Sequence, residues 1–241
     1  MRILILGGTT EARELAGLVA GEHQVITSLA GRTSTPRLPA GEVRVGGFGG
    51  VDGLSAFLAE RGIDVLVDAT HPFAAGMTRN AFAASRAAAV PLLIVRRPGW
   101  TASPDDDWRR VASAAEAADV LAAEPRRVFL TTGRQTLAAF AHLGHCWFLA
   151  RSVEPPDPPT PRRLEVLLGR GPFTVDGERR LLAEHRIDVL VTKDSGGPDA
   201  KLVAARAEGV PVLMIDRPAL PAAPSVPTAE AAAAWLGDRR R

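Results

Sequence analysis

The chain repeats one pattern: a short continuous apolar run, a turn of small or polar residues, then a longer stretch with apolar residues three or four positions apart. Continuous runs of four to six residues suit strands buried on both faces, and the three-to-four spacing suits amphipathic helices. The strands predicted this way are Arg2–Leu6, Gln24–Ser28, Glu42–Val45, Asp64–Val67 and Pro91–Val95. After Ser103-Pro104-Asp105-Asp106-Asp107 the pattern restarts, with strands at Trp108–Val111, Arg127–Leu130, His145–Ala150, Phe173–Val175, Ile187–Val191 and Pro211–Ile215. Helices are predicted after Gly7-Gly8-Thr9-Thr10-Glu11-Ala12, over about 51–61, up to about 89, and over 114–123 in the first part. Further helices are predicted from about 134, over 162–168, up to 184, up to 208 and over 228–236. Residues 155–161 carry five prolines and are expected to be irregular. Strands alternating with helices argue for parallel sheets covered on both faces.

The two halves resemble each other. Ile63-Asp64-Val65-Leu66-Val67 returns as Ile187-Asp188-Val189-Leu190-Val191, and Val90-Pro91-Leu92 with Arg97-Pro98 returns as Val210-Pro211-Val212 with Arg217-Pro218. Gly8 falls opposite Gly133 in the turn after the first strand of each half. The expected architecture is therefore α/β, with two Rossmann-like lobes at 1–98 and 99–241 and ligands in the cleft between them. The turns Asp68–Phe73 and Thr192–Pro198 are the equivalent polar edges.

Composition narrows the function. The net charge is +2 and no basic tract exists beyond Arg239-Arg240-Arg241, which speaks against nucleic acid. No apolar run approaches the length of a membrane span, and the start is too short and glycine-rich for a signal peptide, so a cytoplasmic protein is expected. The single cysteine, Cys146, lies in an apolar run and reads as a buried structural thiol. The five histidines show no metal-ligand spacing. Lys193 and Lys201 are the only lysines among 29 bases, and tyrosine is absent, which excludes any tyrosine acid or base. Arginines suit carboxylate or phosphate recognition.

Three stretches suggest a dinucleotide. Gly7-x-Thr9-x-x-Ala12 has the dinucleotide-fingerprint spacing after a strand and before a helix, although Thr9 and Ala12 replace two glycines. Gly8, Thr9, Thr10 and Glu11 would then meet a phosphate at the helix N-terminus; the same residues also serve as a plain helix cap. Glu11 would repel a pyrophosphate and is expected to turn away or bond a backbone N–H or a hydroxyl. The second strand ends in Ser28-Leu29-Ala30-Gly31-Arg32 with no acid for a ribose 2′-OH. Ser28 and Arg32 suit a 2′-phosphate instead, which favours NADP over NAD. Gly46-Gly47-Phe48-Gly49-Gly50 allows close ligand approach at Gly47 and Gly49, with Phe48 against an adenine; it also reads as a flexible loop.

Gly7-Gly8-Thr9-Thr10-Glu11-Ala12, Ser28-Leu29-Ala30-Gly31-Arg32-Thr33, Gly46-Gly47-Phe48-Gly49, Asp68-Ala69-Thr70-His71-Pro72-Phe73-Ala74 and Lys193-Asp194-Ser195-Gly196 together resemble the precorrin-6A reductase family of cobalamin biosynthesis. The resemblance spans nearly the whole chain. It implies an NADPH-dependent oxidoreductase that converts a tetrapyrrole, precorrin-6A, to precorrin-6B, with the cofactor between two lobes.

Within that frame Ala69 and Thr70 border the cofactor, and Thr70 with His71 borders nicotinamide and substrate. Thr70 as a simple cap of the following helix is the alternative. His71 is the sequence candidate for proton donor, because an unperturbed histidine titrates near neutrality; solvent as proton donor is equally open. Lys193 and Asp194 are candidates to assist proton delivery or to orient a substrate carboxylate. Ser195, Gly196 and Arg134 are further substrate-side candidates, and Arg97 and Arg151 are among the arginines considered as carboxylate partners. Two other readings stay open: an NADH-dependent cobalt-precorrin-6A reductase, and a non-enzymatic NADP-binding redox sensor. Transient contact with neighbouring pathway enzymes is a further open question.

Overall fold

The computed structural model describes residues 1–31 and 38–239. The chain divides into two compact units, Met1–Pro98 with Pro218–Arg241, and Gly99–Arg217. The first unit contains strands β1 (Arg2–Leu6), β2 (Gln24–Leu29), β3 (Glu42–Val45), β4 (Val65–Asp68) and β5 (Leu92–Val95). Its helices are α1 (Thr10–Val19), α2 (Gly50–Glu60) and α3 (Ala75–Ala87). The second contains β6 (Trp108–Val111), α4 (Ala114–Leu121), β7 (Arg127–Leu130), a 3-10 helix (Arg134–Phe140), β8 (Trp147–Ser152), β9 (Leu164–Leu168), α5 (Val175–Glu184), β10 (Val189–Lys193), α6 (Ala200–Ala207) and β11 (Val212–Ile215). The chain then returns to the first unit with β12 (Ser225–Val226) and α7 (Ala229–Asp238).

Each unit holds one six-stranded parallel sheet, in the orders β12-β5-β4-β1-β2-β3 and β6-β11-β10-β7-β8-β9. Five strands of each sheet come from one repeat in the same order; the sixth comes from the other repeat. β6 follows β5 in the chain yet pairs with β11, and β12 follows β11 yet pairs with β5. The helix after each exchanged strand goes with it: α7 packs on α1, and α4 packs on the 3-10 helix. This corrects the expected second-lobe boundary, because Pro218–Arg241 completes the first unit. The repeated Arg97-Pro98 and Arg217-Pro218 mark the two crossings.

Continuous apolar strands are explained by burial on both faces. In the first sheet Ile3, Ile5, Val65, Val67 and Leu93 pack on one side against Leu15, Ala16, Ala232 and Leu236 of α1 and α7. Leu4, Leu6, Ile26, Leu66 and Ile94 pack on the other side against Leu54, Leu58, Ala81 and Ala84 of α2 and α3. Fully burying each of these Ile, Leu and Val side chains contributes about 1.5–3 kcal/mol, so the strands are held as the centre of the unit. Cys146 is fully buried, as expected, and burial pushes its thiol up.

Two predicted elements differ. Residues 162–168, expected as a helix, contain β9, which extends the sheet beside β8 with Phe148 opposite Leu164 and Ser152 opposite Leu168. Residues 173–175 form no strand; Thr174 caps α5 by accepting from the Gly177 N–H.

Candidate functional site

In the first unit the strands' C-terminal ends carry three adjacent turns. The turn after β1 is held from both sides. Thr9 is the N-cap of α1, its Oγ1 accepting from the Ala12 N–H at 3.1 Å and donating to the Ala69 carbonyl at 2.7 Å. That hydroxyl has no proton left for a ligand. Gly8 has φ of +106°, and a Cβ there would meet nothing within 4 Å, so the turn presents bare backbone to open space. The first turn of α1 adds N–H groups that intrahelical bonds do not use. Thr10 is exposed and accepts from Arg13 Nη2 at 2.9 Å.

The Glu11 carboxylate bonds its own backbone N–H and pairs with Arg97. Both its carboxylate oxygens lie 3.0 Å from Arg97 Nη1, with both side chains largely buried. Burial works to raise the Glu11 carboxyl, but its own backbone N–H and the Arg97 charge and hydrogen bond outweigh it and hold it below the ordinary value. The repulsion foreseen from the sequence is thus removed by pairing, and Arg97 is committed to Glu11.

The ends of β2 and β3 meet at Ser28 and Arg44, which are opposite in register. Ser28 is buried, and its Oγ accepts from Arg44 Nη1 at 3.2 Å. Arg44 also donates to the carbonyls of Gly46 at 2.7 Å and Gly47 at 2.6 Å, and its guanidinium lies 3.9 Å from the centre of the Phe48 ring. Phe48 packs edge-on against Phe57, with ring centres 5.2 Å apart. The glycine stretch is therefore braced by one arginine, and Phe48 is largely occupied by protein. Gly49 caps α2 with φ of +81°. Arg32 lies outside the described residues. Arg44, which the sequence reading missed, is the cation that lies at Ser28 among the described residues. Its only sequence signal was a charge inside an otherwise ordinary short strand.

The turn after β4 begins at Asp68, which is 1% exposed. Asp68 Oδ1 accepts from the Thr70 N–H at 3.1 Å and from Thr70 Oγ1 at 2.6 Å. Thr70 therefore clamps Asp68 and does not cap α3, whose N-cap is Ala74. Ala69 has its methyl in the core, its N–H on the Leu6 carbonyl and its carbonyl on Thr9. Any contact from Ala69 to a ligand is confined to the second lone pair of that carbonyl. His71 is exposed, and its Nδ1 accepts from the Phe73 N–H at 3.2 Å, which puts the ring proton on Nε2.

In the second unit the equivalent turn follows β10. Burial lowers the Lys193 ammonium below its ordinary value. Asp194 was expected to share in proton delivery; the structure gives its carboxylate another task. It is 5% exposed, accepts from the Trp100 N–H and from Arg110 Nη2, each at 3.0 Å, and lies 3.7 Å from Arg217 Nε. A Cβ on Gly99 would fall 2.8 Å from Asp194 Oδ2, so only glycine lets the chain pass there. Donors enclose the carboxylate, which ties both ends of the unit to the turn. Ser195 donates its N–H to the Lys193 carbonyl at 2.7 Å, and Gly196 is buried at φ of +66°. Arg134 opens the 3-10 helix, 3.3 Å from the Pro155 carbonyl and 3.8 Å from Glu154. Arg151 forms a buried pair with Glu178 beneath the Phe173 ring, which removes it from the carboxylate partners.

A shallow depression of about 600 Å³ lies at the opposite, N-terminal edge of the first sheet, lined by Arg2, His23, Gln24 and Asp64 among others. It contains none of the expected residues, and parallel sheets bind ligands at the other edge. Among the described residues no cluster of three metal-ligating side chains exists, and no helix is long and apolar enough to cross a membrane.

The model of the family described as Precorrin-6x reductase CbiJ/CobK matches residues 2–237. The chain is 53% identical to precorrin-6A reductase of Rhodococcus erythropolis, over 100% of this chain and 99% of the relative. It is 32% identical to cobalt-precorrin-6A reductase of Priestia megaterium, over 90% of each. Among solved structures, CobK precorrin-6A reductase superposes with a TM-score of 0.90 at 44% identity, covering 99% of this chain and 96% of that one. The chain belongs to the CbiJ/CobK precorrin-6x reductase family.

Proposed function

We propose that the protein reduces precorrin-6A to precorrin-6B with NADPH as the hydride donor. Full-length similarity at 53% identity to a protein named precorrin-6A reductase carries this reading. The residues present fit a nicotinamide dinucleotide: open backbone at Gly8, a helix N-terminus beside it, and a hydroxyl with a guanidinium at the end of β2. Ser28 beside Arg44, with no acid at the end of β2, supports NADPH over NADH. Of the five N–H groups of Arg44, three go to Ser28, Gly46 and Gly47. Two remain for a 2′-phosphate among the described residues.

The cofactor, when bound, supplies a hydride, and one proton must also reach the macrocycle, so that precorrin-6A, NADPH and H⁺ give precorrin-6B and NADP⁺. Everything else falls to the chain. Gly8, Thr9 and Thr10 hold phosphate through backbone N–H groups, and Gly47 and Gly49 shape the adenosine side. His71 in its doubly protonated imidazolium form, which gives up the Phe73 contact at Nδ1, and Lys193 as its ammonium are the proton donors we assign, solvent being the alternative. Lys193, Ser195, Gly196 and Arg134 bind substrate carboxylates and carbonyls, and Asp194 positions the turn that carries Lys193.

The test pairs each of NADPH and NADH with each of precorrin-6A and cobalt-precorrin-6A, and follows loss of the reduced-nicotinamide absorbance. Consumption is expected with NADPH and precorrin-6A. Turnover only with NADH and the cobalt form would replace the reading with an NADH-dependent reductase of cobalt-precorrin-6A, the substrate named for the 32% identical relative. Binding without turnover in all four would indicate a sensor.

A further inference from the structure

Asp68 has a buried oxygen that nothing among the described residues satisfies. Its Oδ1 takes both donors of Thr70, whereas Oδ2 has no hydrogen-bond partner among the described residues and is sealed from solvent. Buried polar atoms are almost always paired, and a carboxylate oxygen is among the costliest to leave unmet. The Thr70 clamp fixes the carboxyl at Oδ1, which fixes where Oδ2 points. Such an atom, held in place without a partner, is suited to a donor that arrives with a ligand.

Its place in the sheet says which donor. Register aligns Arg44, Ser28, Leu6, Asp68 and Ile94 in one row across β3, β2, β1, β4 and β5. Side chains in one row of a parallel sheet share a face, here the face of α2 and α3. Ser28 and Arg44 lie on one side of β1 and Asp68 on the other, about 10 Å from Ser28 at the usual strand spacing. The phosphate turn follows β1 between them and is joined to the Asp68 turn through Thr9 and Ala69. A dinucleotide with its adenosine 2′-phosphate at Arg44 and its pyrophosphate at the β1 turn brings its other half over β4. A carboxylate there repels phosphates and substrate carboxylates, and selects a neutral donor.

We infer that Asp68 Oδ2 accepts a hydrogen bond from a neutral donor, a hydroxyl or amide N–H, in the nicotinamide nucleoside half of the cofactor, with Thr70 as the residue that positions it. This rests on the dinucleotide reading above. Asp68→Asn keeps the shape and the Thr70 contact but turns the acceptor into a donor. It also removes a buried charge, so the ligand-free variant keeps or gains thermal stability.

The experiment is calorimetric binding of NADP⁺ and of 2′,5′-ADP, which lacks the nicotinamide half, to wild type, Asp68→Asn, Thr70→Val and Thr70→Ser. Wild type is expected to bind both. Asp68→Asn weakens NADP⁺ by about 10- to 100-fold and leaves 2′,5′-ADP within about twofold. Thr70→Val weakens NADP⁺ by a smaller factor, and Thr70→Ser restores it. Unchanged NADP⁺ affinity in Asp68→Asn overturns the inference, as does equal weakening of 2′,5′-ADP. If Asp68→Asn does not fold, Thr70→Val decides alone, and unaltered NADP⁺ binding there overturns it. Failure of wild type to bind NADP⁺ would instead strike the dinucleotide reading itself.

Discussion

Thr9 Oγ1 donates to the Ala69 carbonyl at 2.7 Å, so the turn after β1 and the turn after β4 are one piece. The same oxygen caps α1, and a single hydroxyl thereby sets the helix start, the phosphate-facing backbone and the approach to Asp68. Thr9→Val removes the cap and the strut while keeping the volume. The expected cost is about 1–3 kcal/mol in urea unfolding, with Thr9→Ser recovering most of it. NADP⁺ affinity falls in Thr9→Val although the side chain itself donates nothing to the ligand.

Arg44 is expected to decide between the two nicotinamide cofactors. Arg44→Ala should raise KM for NADPH by about 10- to 100-fold and change KM for NADH by no more than about twofold. Because Arg44 also braces Gly46 and Gly47, the NADH arm separates loss of phosphate recognition from loss of the loop. Equal damage to both cofactors would leave Arg44 as a brace alone.

The Glu11–Arg97 pair gives a pH signature. The folded carboxyl titrates below its ordinary value of 4.5. Its contribution is therefore complete above that value and disappears as pH falls through the folded one. Between neutral pH and about pH 3, the urea midpoint of wild type should fall more than that of Glu11→Gln. A parallel fall in both would show that the pair does not couple to folding.

The exchanged strands predict where a core mutation is felt. Leu236 lies near the C-terminus of the chain but is fully buried against α1. Leu236→Ala should cost about 2–5 kcal/mol. Amide protection should drop in β1 and β4 of the first unit before β7 and β10 of the second. The reverse order would contradict the assignment of α7 to the first unit.

How much of this could be read from the sequence depended on how local each cause was. Central strands such as Ile3–Leu6 and Val189–Val191 announce themselves because burial on both faces demands unbroken apolar runs. The internal repeat is visible for the same reason. β9 reads as a helix because Leu164-Glu165-Val166-Leu167-Leu168 is too short to separate the two periods; its pairing with β8 decides it. The strand exchange has no local signal, since β12 is two residues long and its partner is set by the path of the chain. Asp194 looked catalytic because its partners Trp100 and Arg110 are 94 and 84 residues away. Asp68 was visible only as the start of a polar turn, and its orphaned oxygen is a property of the folded neighbourhood.

The central claim, direct reduction of precorrin-6A by NADPH, is tested most directly by following the transferred hydrogen. Precorrin-6A is converted with NADPH carrying deuterium at the transferred position of the nicotinamide, and the product mass is measured. The account predicts precorrin-6B heavier by one deuterium, with one NADP⁺ formed for each product. Product without label, or bound NADPH that is never consumed, would contradict it.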